Sequence, residues 1–241
     1  LNIDQLLTFA KLSATTYDDP VDADSKFRAI GFRILRFFDV DGAQGYFLTN
    51  GTINVLSFRG TEVKQKSDIL ADLEAGKNVA VAGGKVHHGF KAELDKLWPS
   101  ITETITNNPG KFYVTGHSLG AAMATIAASR LQERVISLVT FGSPRVGDAD
   151  FVKNVNIEHY RVQNNNDAVT KVPFYIMGFR HHGEIVYLNH YGSIRELNGW
   201  QRFKDMIRSR FRAYSKFQFF NAVYDHLMAN YIAKLEKSKE E

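Results

Sequence analysis

A chain of 241 residues, 44% hydrophobic and 23% charged, is the size and composition of one α/β domain able to bury a sizeable core. It contains no cysteine, which excludes disulfides, thiolate metal sites and a cysteine nucleophile. No apolar run approaches the roughly 20 residues of a membrane-spanning helix, and the net charge of +4 is gathered in one stretch.

The chain starts at Leu1 with no charged-then-apolar segment after it, which tilts the expectation slightly toward a secreted protein over a cytoplasmic one. "IDQLLTFAKLSATTY" spaces its apolar residues for a helix. "FRILRFF" runs to a turn at Asp41 and Gly42. "GYFLT" and "TINVLSF" flank Asn50 and Gly51, a pair that favours a tight antiparallel hairpin. "AELDKLWPSITETIT" predicts a helix with a bend before Pro99. "KFYVTG" then predicts a strand and "LGAAMATIAASRLQE" a helix. "VISLVTF" and "IEHYRVQ" predict two more strands, and "EIVYLN" a late edge strand. From "GWQRF" to "NYIAKLE" the period is helical, and residues 236–241, "EKSKEE", read as a solvated tail. Strands alternating with helices, after an early antiparallel hairpin, indicate an α/β sheet in a single domain spanning residues 1–241.

Residues 195–220 hold seven Lys or Arg against two acids, interleaved with aromatics. A helix that buries its aromatic side and solvates its charges explains this stretch, and so does contact with an anionic surface. No nucleic-acid motif accompanies it, so nucleic acid is not an expected partner.

The chemistry centres on "YVTGHSLGAAMA", residues 113–124. A serine hydroxyl is a poor nucleophile until a base takes its proton. In a strand–turn–helix elbow, the serine sits in a strained conformation, and the residues two before and two after it approach too closely for a Cβ. Gly116 and Gly120 meet that demand around Ser118, and Ala121 and Ala122 let the following helix lie near the sheet. A helix starting at Ser118 also favours negative charge beside the hydroxyl. Elbow hydrolases deliver Ser, then acid, then His. Asp148 and Asp150 fit better as caps of a helix starting near Ala149, whereas Asp167 lies in a polar loop just beyond a strand. His87, His88, His117 and His159 precede that acid, and a side chain at His117 should diverge from its neighbour on a sharp turn. His181, His182, His190 and His226 follow it. The first three flank the late strand, and order favours His226 as the last.

Together, "VLSFRGTE", "KVHHGF", "VTGHSLGAAMA", "TFGSPRVGD", "YRVQNNNDAVTKVP", "GFRHHGEIVY" and "YDHLMANYI" resemble, in order, the segments of the class 3 lipase family. This is the fungal-lipase-like branch of the α/β hydrolases. The resemblance runs from about residue 54 to 232 and implies the α/β-hydrolase fold, with a mostly parallel central sheet flanked by helices. It implies Ser118 as nucleophile, Asp167 as acid and His226 as base. The N–H of Leu119, next after the nucleophile, is one oxyanion donor, and the resemblance implies Thr61 as the other. It implies a lid at about residues 62–73, here polar, so interfacial activation is expected to be weak. The expected reaction is hydrolysis of acyl glycerols through an acyl-enzyme, with no metal or cofactor, on a lipid or ester substrate met at a lipid–water interface by reversible contact. An sn-1 phospholipase, a feruloyl-type carboxylesterase and a non-catalytic lipid-binding protein are the alternatives.

Overall fold

The computed structural model describes residues 1–61, 77–79, 83–165, 167–189, 191–194, 201, 204 and 226–240. The lid expected at 62–73 lies outside these residues, as does the basic aromatic segment 195–220 apart from Gln201 and Lys204, and so does His190.

Helix α1 (Ile3–Thr15) starts at a capping box, with Asn2 and Gln5 satisfying each other's backbone N–H. Helix α2 (Pro20–Ile30), which the apolar pattern does not predict, is capped by Asp19 and buries only Ala23 and Phe27. Strands β1 (Arg33–Val40), β2 (Ala43–Thr49) and β3 (Asn54–Phe58) form an antiparallel meander through the two predicted turns. A short hairpin follows, of β4 (Lys77–Val79) and β5 (Lys85–His87). Helix α3 (His88–Asn107) then starts four residues earlier than expected and carries Pro99 inside it. Strand β6 (Phe112–His117), helix α4 (Leu119–Arg130), strand β7 (Val135–Phe141), helix α5 (Ala149–Asn154), strand β8 (His159–Asn164) and strand β9 (Glu184–Leu188) complete the alternation. Helix α6 (Met228–Glu240) is the last element.

The strands form a seven-stranded sheet in the order β1-β2-β3-β6-β7-β8-β9, parallel from β3 onward, with β9 at the edge as expected. Because side chains alternate across a strand, each strand feeds two cores. Tyr46, Leu48, Val55, Val139 and Phe141 face one core, shared with α1, α2 and α6. Phe47, Leu56, Phe58, Val114 and Leu138 face the other, shared with α3 and α4.

Residues 236–240, expected as part of a solvated tail at 236–241, continue α6 as helix and are mostly exposed. Glu236 meets Lys11 at 3.1 Å and Lys239 meets Asp4 at 2.6 Å, while Lys237 Nζ donates to Tyr191 O at 2.7 Å.

Candidate active site

Ser118 occupies the step from β6 to α4 with φ 59° and ψ −125°, a backbone conformation that costs a non-glycine residue free energy. The turn is held open for it by missing side chains. A Cβ on Gly116 would sit 2.5 Å from Gly120 C, and one on Gly120 would sit 2.8 Å from Arg59 C. The spacing read from the sequence therefore has its physical cause in the packing of the elbow against itself and against the end of β3. The Ser118 N–H donates to Phe141 O at 3.1 Å, which ties the elbow to the end of β7. The N–H of Leu119, the first helical residue, lies in the first turn of α4, where amides lack carbonyl partners in the helix.

Asp167 is fully buried beyond the end of β8, and three donors converge on its carboxylate. His226 Nδ1–H donates to Oδ2 at 2.9 Å, Tyr231 OH donates to Oδ2 at 2.6 Å, and Val169 N–H donates to Oδ1 at 2.9 Å. Burial pushes this carboxyl's pKa up. The His226 charge, the His226 and Tyr231 bonds and a smaller influence of His117 outweigh it and hold the group below its ordinary value. An ionised Asp167 fixes the His226 tautomer, with the proton on Nδ1 and the lone pair on Nε2. That Nε2 is buried and has no hydrogen-bond partner among the described residues, Ser118 Oγ included. The structure thus joins the expected acid to the expected base and leaves His226 Nε2 without a partner among the described residues. Apo hydrogen bonds of this kind form or tighten when substrate arrives.

His226 is steadied by residues to which the sequence reading gave no role. His117, expected to diverge from Ser118 on the turn, has its ring centroid 4.4 Å from that of His226. His117 Nε2 contacts His226 O at 2.7 Å and its Nδ1 contacts Tyr17 OH at 2.8 Å. A carbonyl only accepts, so Nε2 carries the proton, Nδ1 accepts, and Tyr17 OH donates. Gly60 lies against Tyr17 Oη, with no room for a Cβ between them. One chain of hydrogen bonds therefore runs from Tyr17, just past the end of α1, through His117 to the backbone of His226. Burial, and then the His226 charge, lower the His117 pKa to about 3, so His117 stays neutral and acts as a fixed donor. Thr61 itself is exposed, one residue past Gly60; a Cβ on Gly60 would sit 3.2 Å from Ser118 Cβ. The clue to Tyr231 was its place one turn after His226. Nothing local marked Tyr17, which sits a hundred residues from its partner.

Among the described residues, the other histidines after Asp167, His181 and His182, are held elsewhere. His181 Nε2 donates to Thr170 O at 2.9 Å. His182 Nε2 donates to Val155 O at 3.0 Å, and its Nδ1 faces His159 Nδ1 at 3.0 Å. Asp148 caps α5 by accepting from the Phe151 N–H, and Asp150 lies in that helix's first turn, as the sequence suggested. Among the described residues, no group of three His, Asp or Glu is arranged to hold a metal ion, and no helix is long and apolar enough to cross a membrane.

Comparison with known proteins finds several lipases. Residues 55–177, just over half of the chain, match the family model described as lipase (class 3). A secreted mono- and diacylglycerol lipase of Fusarium solani is 41% identical over 111 residues, covering 42% of this chain and 33% of that protein. A lipase of Rhizopus niveus is 35% identical over 145 residues, covering 53% of this chain and 36% of that protein. The matched region thus spans about a third of these curated relatives. A solved triacylglyceride lipase of Rhizomucor miehei superposes with a TM-score of 0.69 at 25% identity, over 77% of this chain and 80% of that one.

Proposed function

Because the chain belongs to the class 3 lipase family and has its α/β-hydrolase fold, we propose that it is a serine ester hydrolase cleaving acyl glycerols. In this reading Ser118 Oγ attacks the ester carbonyl while His226 Nε2 takes its proton. Asp167 orients the imidazole and stabilises its charge. The tetrahedral oxyanion is held by the N–H of Leu119 and by Thr61, through its backbone N–H and its hydroxyl. His226 returns the proton to the leaving alcohol, which departs and leaves an acyl-enzyme. Water, activated by the same histidine, then releases the fatty acid. Each step is a proton transfer or an acyl transfer, so the side chains named suffice without a cofactor.

The observation that carries this reading is the buried Asp167–His226 pair with Nε2 left open, beside a serine in a left-handed elbow conformation. The relatives' names favour acyl glycerols over phospholipids or feruloyl esters, and "secreted" in one of them favours export. Covalent labelling of Ser118 by an alkyl phosphonate, followed by peptide mapping, tests the nucleophile. A panel of triacyl-, diacyl- and monoacylglycerols, phosphatidylcholine and a feruloyl ester tests the substrate class. No labelling at Ser118, with lipid binding intact, would favour a non-catalytic lipid-binding protein.

A further inference from the structure

The loop between β8 and β9 carries more than Asp167. Just past the short 3-10 turn Val169–Lys171 come four consecutive large apolar residues, and water reaches all of them. Phe174 is 56% exposed, Tyr175 59%, Ile176 93% and Met177 36%. Apolar residues scattered singly over a surface need no explanation, whereas a contiguous apolar tip of this kind marks a contact surface.

The tip is braced. Met177 N–H donates to Phe174 O and Gly178 N–H to Tyr175 O, both at 3.0 Å, closing a 3-10 turn at Tyr175–Met177. Arg145, in the loop after β7, donates its N–H to Val172 O at 2.8 Å and its Nη1 to Pro173 O at 2.9 Å and to Lys171 O. Arg180 donates its N–H to Gly147 O at 2.7 Å and Nη1 to Tyr175 O at 2.9 Å, and its guanidinium stacks 3.4 Å from the Tyr175 ring centroid. The apolar side chains are thus held outward by the arginines that surround them. Residues 168–183 contain Lys171 and Arg180 and no Asp or Glu, so the rim of the tip is cationic. The two loops leave from the carboxyl ends of β7 and β8, the edge of the sheet that carries Ser118 and Asp167.

We propose that residues 174–177 are the point at which this protein inserts into an anionic lipid–water interface, with Arg145, Lys171 and Arg180 at the level of the headgroups. The proposal rests on the ester-hydrolase reading, because a lipid substrate gives this edge of the sheet its reason to meet a lipid surface. Aromatic rings with an apolar body, flanked by cations, suit the boundary between headgroups and acyl chains. The cationic rim selects anionic headgroups and makes the contact sensitive to salt.

Flotation of the full chain with ether-linked vesicles, which offer no ester to cleave, tests the proposal. The vesicles are phosphatidylcholine, alone or with about one-third phosphatidylglycerol. The expected result is binding that needs phosphatidylglycerol and weakens at high salt. Ile176→Asp and Phe174→Asp should each weaken it about tenfold, and Ile176→Trp should strengthen it. Val21→Asp, at an exposed apolar site on α2, should leave it unchanged. All four variants should keep wild-type turnover of a dissolved short-chain ester. Unchanged binding by both Asp variants of the loop overturns the proposal, and so does an equal loss in Val21→Asp. A dimer that Ile176→Asp dissolves without changing vesicle binding also overturns it, and assigns the tip to a second copy of the chain. Loop-dependent binding by a wild type that hydrolyses no dissolved ester would sink the hydrolase reading and leave the anchor standing. Ester hydrolysis with loop-independent binding would do the reverse.

Discussion

Two close pairs of histidines lie among the described residues, and they differ by one nitrogen. His159 and His182 stack with ring centroids 5.2 Å apart, and His117 and His226 lie 4.4 Å apart. In the first pair every ring nitrogen is bonded. His182 Nε2–H donates to Val155 O, His182 Nδ1 accepts from His159 Nδ1–H, and His159 Nε2 accepts from Thr140 Oγ1–H. In the second pair His117 is bonded at both nitrogens and His226 at Nδ1, and the buried His226 Nε2 has no partner among the described residues. A buried polar atom without a partner costs free energy, so it is rare in a relaxed interior. The first pair is bonded like a structural element. The second carries a cost that a proton transfer explains.

The largest expected effect breaks the comparison if it fails. Ser118→Ala, His226→Ala and Asp167→Asn should each lower kcat on a dissolved ester by about 10³- to 10⁵-fold, and the losses should not add, because the groups act as a unit. His182→Ala should lose stability and keep kcat within about twofold, since structural residues away from the chemistry change stability more than rate. If His182→Ala abolishes turnover in a folded protein while His226→Ala keeps it, the assignment of the two pairs is reversed.

The next effect is smaller and concerns the chain from Tyr17 through His117 to His226. Tyr17→Phe should reduce kcat about tenfold with little change in KM, because it loosens positioning and touches no substrate. His117→Gln, whose amide NH₂ reaches the place of Nε2, should retain more activity than His117→Ala. Equal losses in the two His117 variants, tracking loss of fold by circular dichroism, would reduce His117 to packing.

How much of this was legible in the sequence follows from the range of the forces involved. The elbow was legible because its constraint is local: Gly116, Ser118 and Gly120 lie within five residues. The strands β6 to β9 were legible because each is a short apolar run bounded by turn residues. Helix α2 was not, since it buries only Ala23 and Phe27 and so shows no apolar stripe, although Asp19, Pro20 and Gly31 mark its ends. The place of His117 against His226 was not legible, because its partner is remote in sequence. Here the carbonyl of His226, 109 residues away, captures its Nε2. The contacts of the tail with α1 were not legible, because they join charges from opposite ends of the chain.

The smallest expected effect separates His159 from Asp167, the partner of His226, by their response to acid. The His159 pKa is lowered well below 6.5, by burial first and then by the charges of His182, Arg161 and His181. The unfolded chain therefore takes up the proton first as pH falls through 6.5, and each histidine buried neutral in this way costs up to about 1.4 kcal/mol of stability per pH unit below it. Asp167 is shifted down from 3.8, so its contribution is complete above that value and is lost only as pH falls further, toward its folded pKa. His159→Gln should thus lose about 1–3 kcal/mol at pH 7, from the broken bonds to Thr140 and His182. That deficit should narrow between pH 6.5 and 5, because Gln does not titrate. Tyr231→Phe removes one donor to a charged carboxylate and should lose about 1.5–3 kcal/mol, and this deficit should stay level from pH 7 to 5. Urea unfolding of the wild type and both variants across that range measures the two gaps. A Tyr231→Phe deficit that shrinks between pH 7 and 5 would mean that Asp167 is not held ionised by its donors. The tautomer of His226, and with it the open Nε2, would then lose its support.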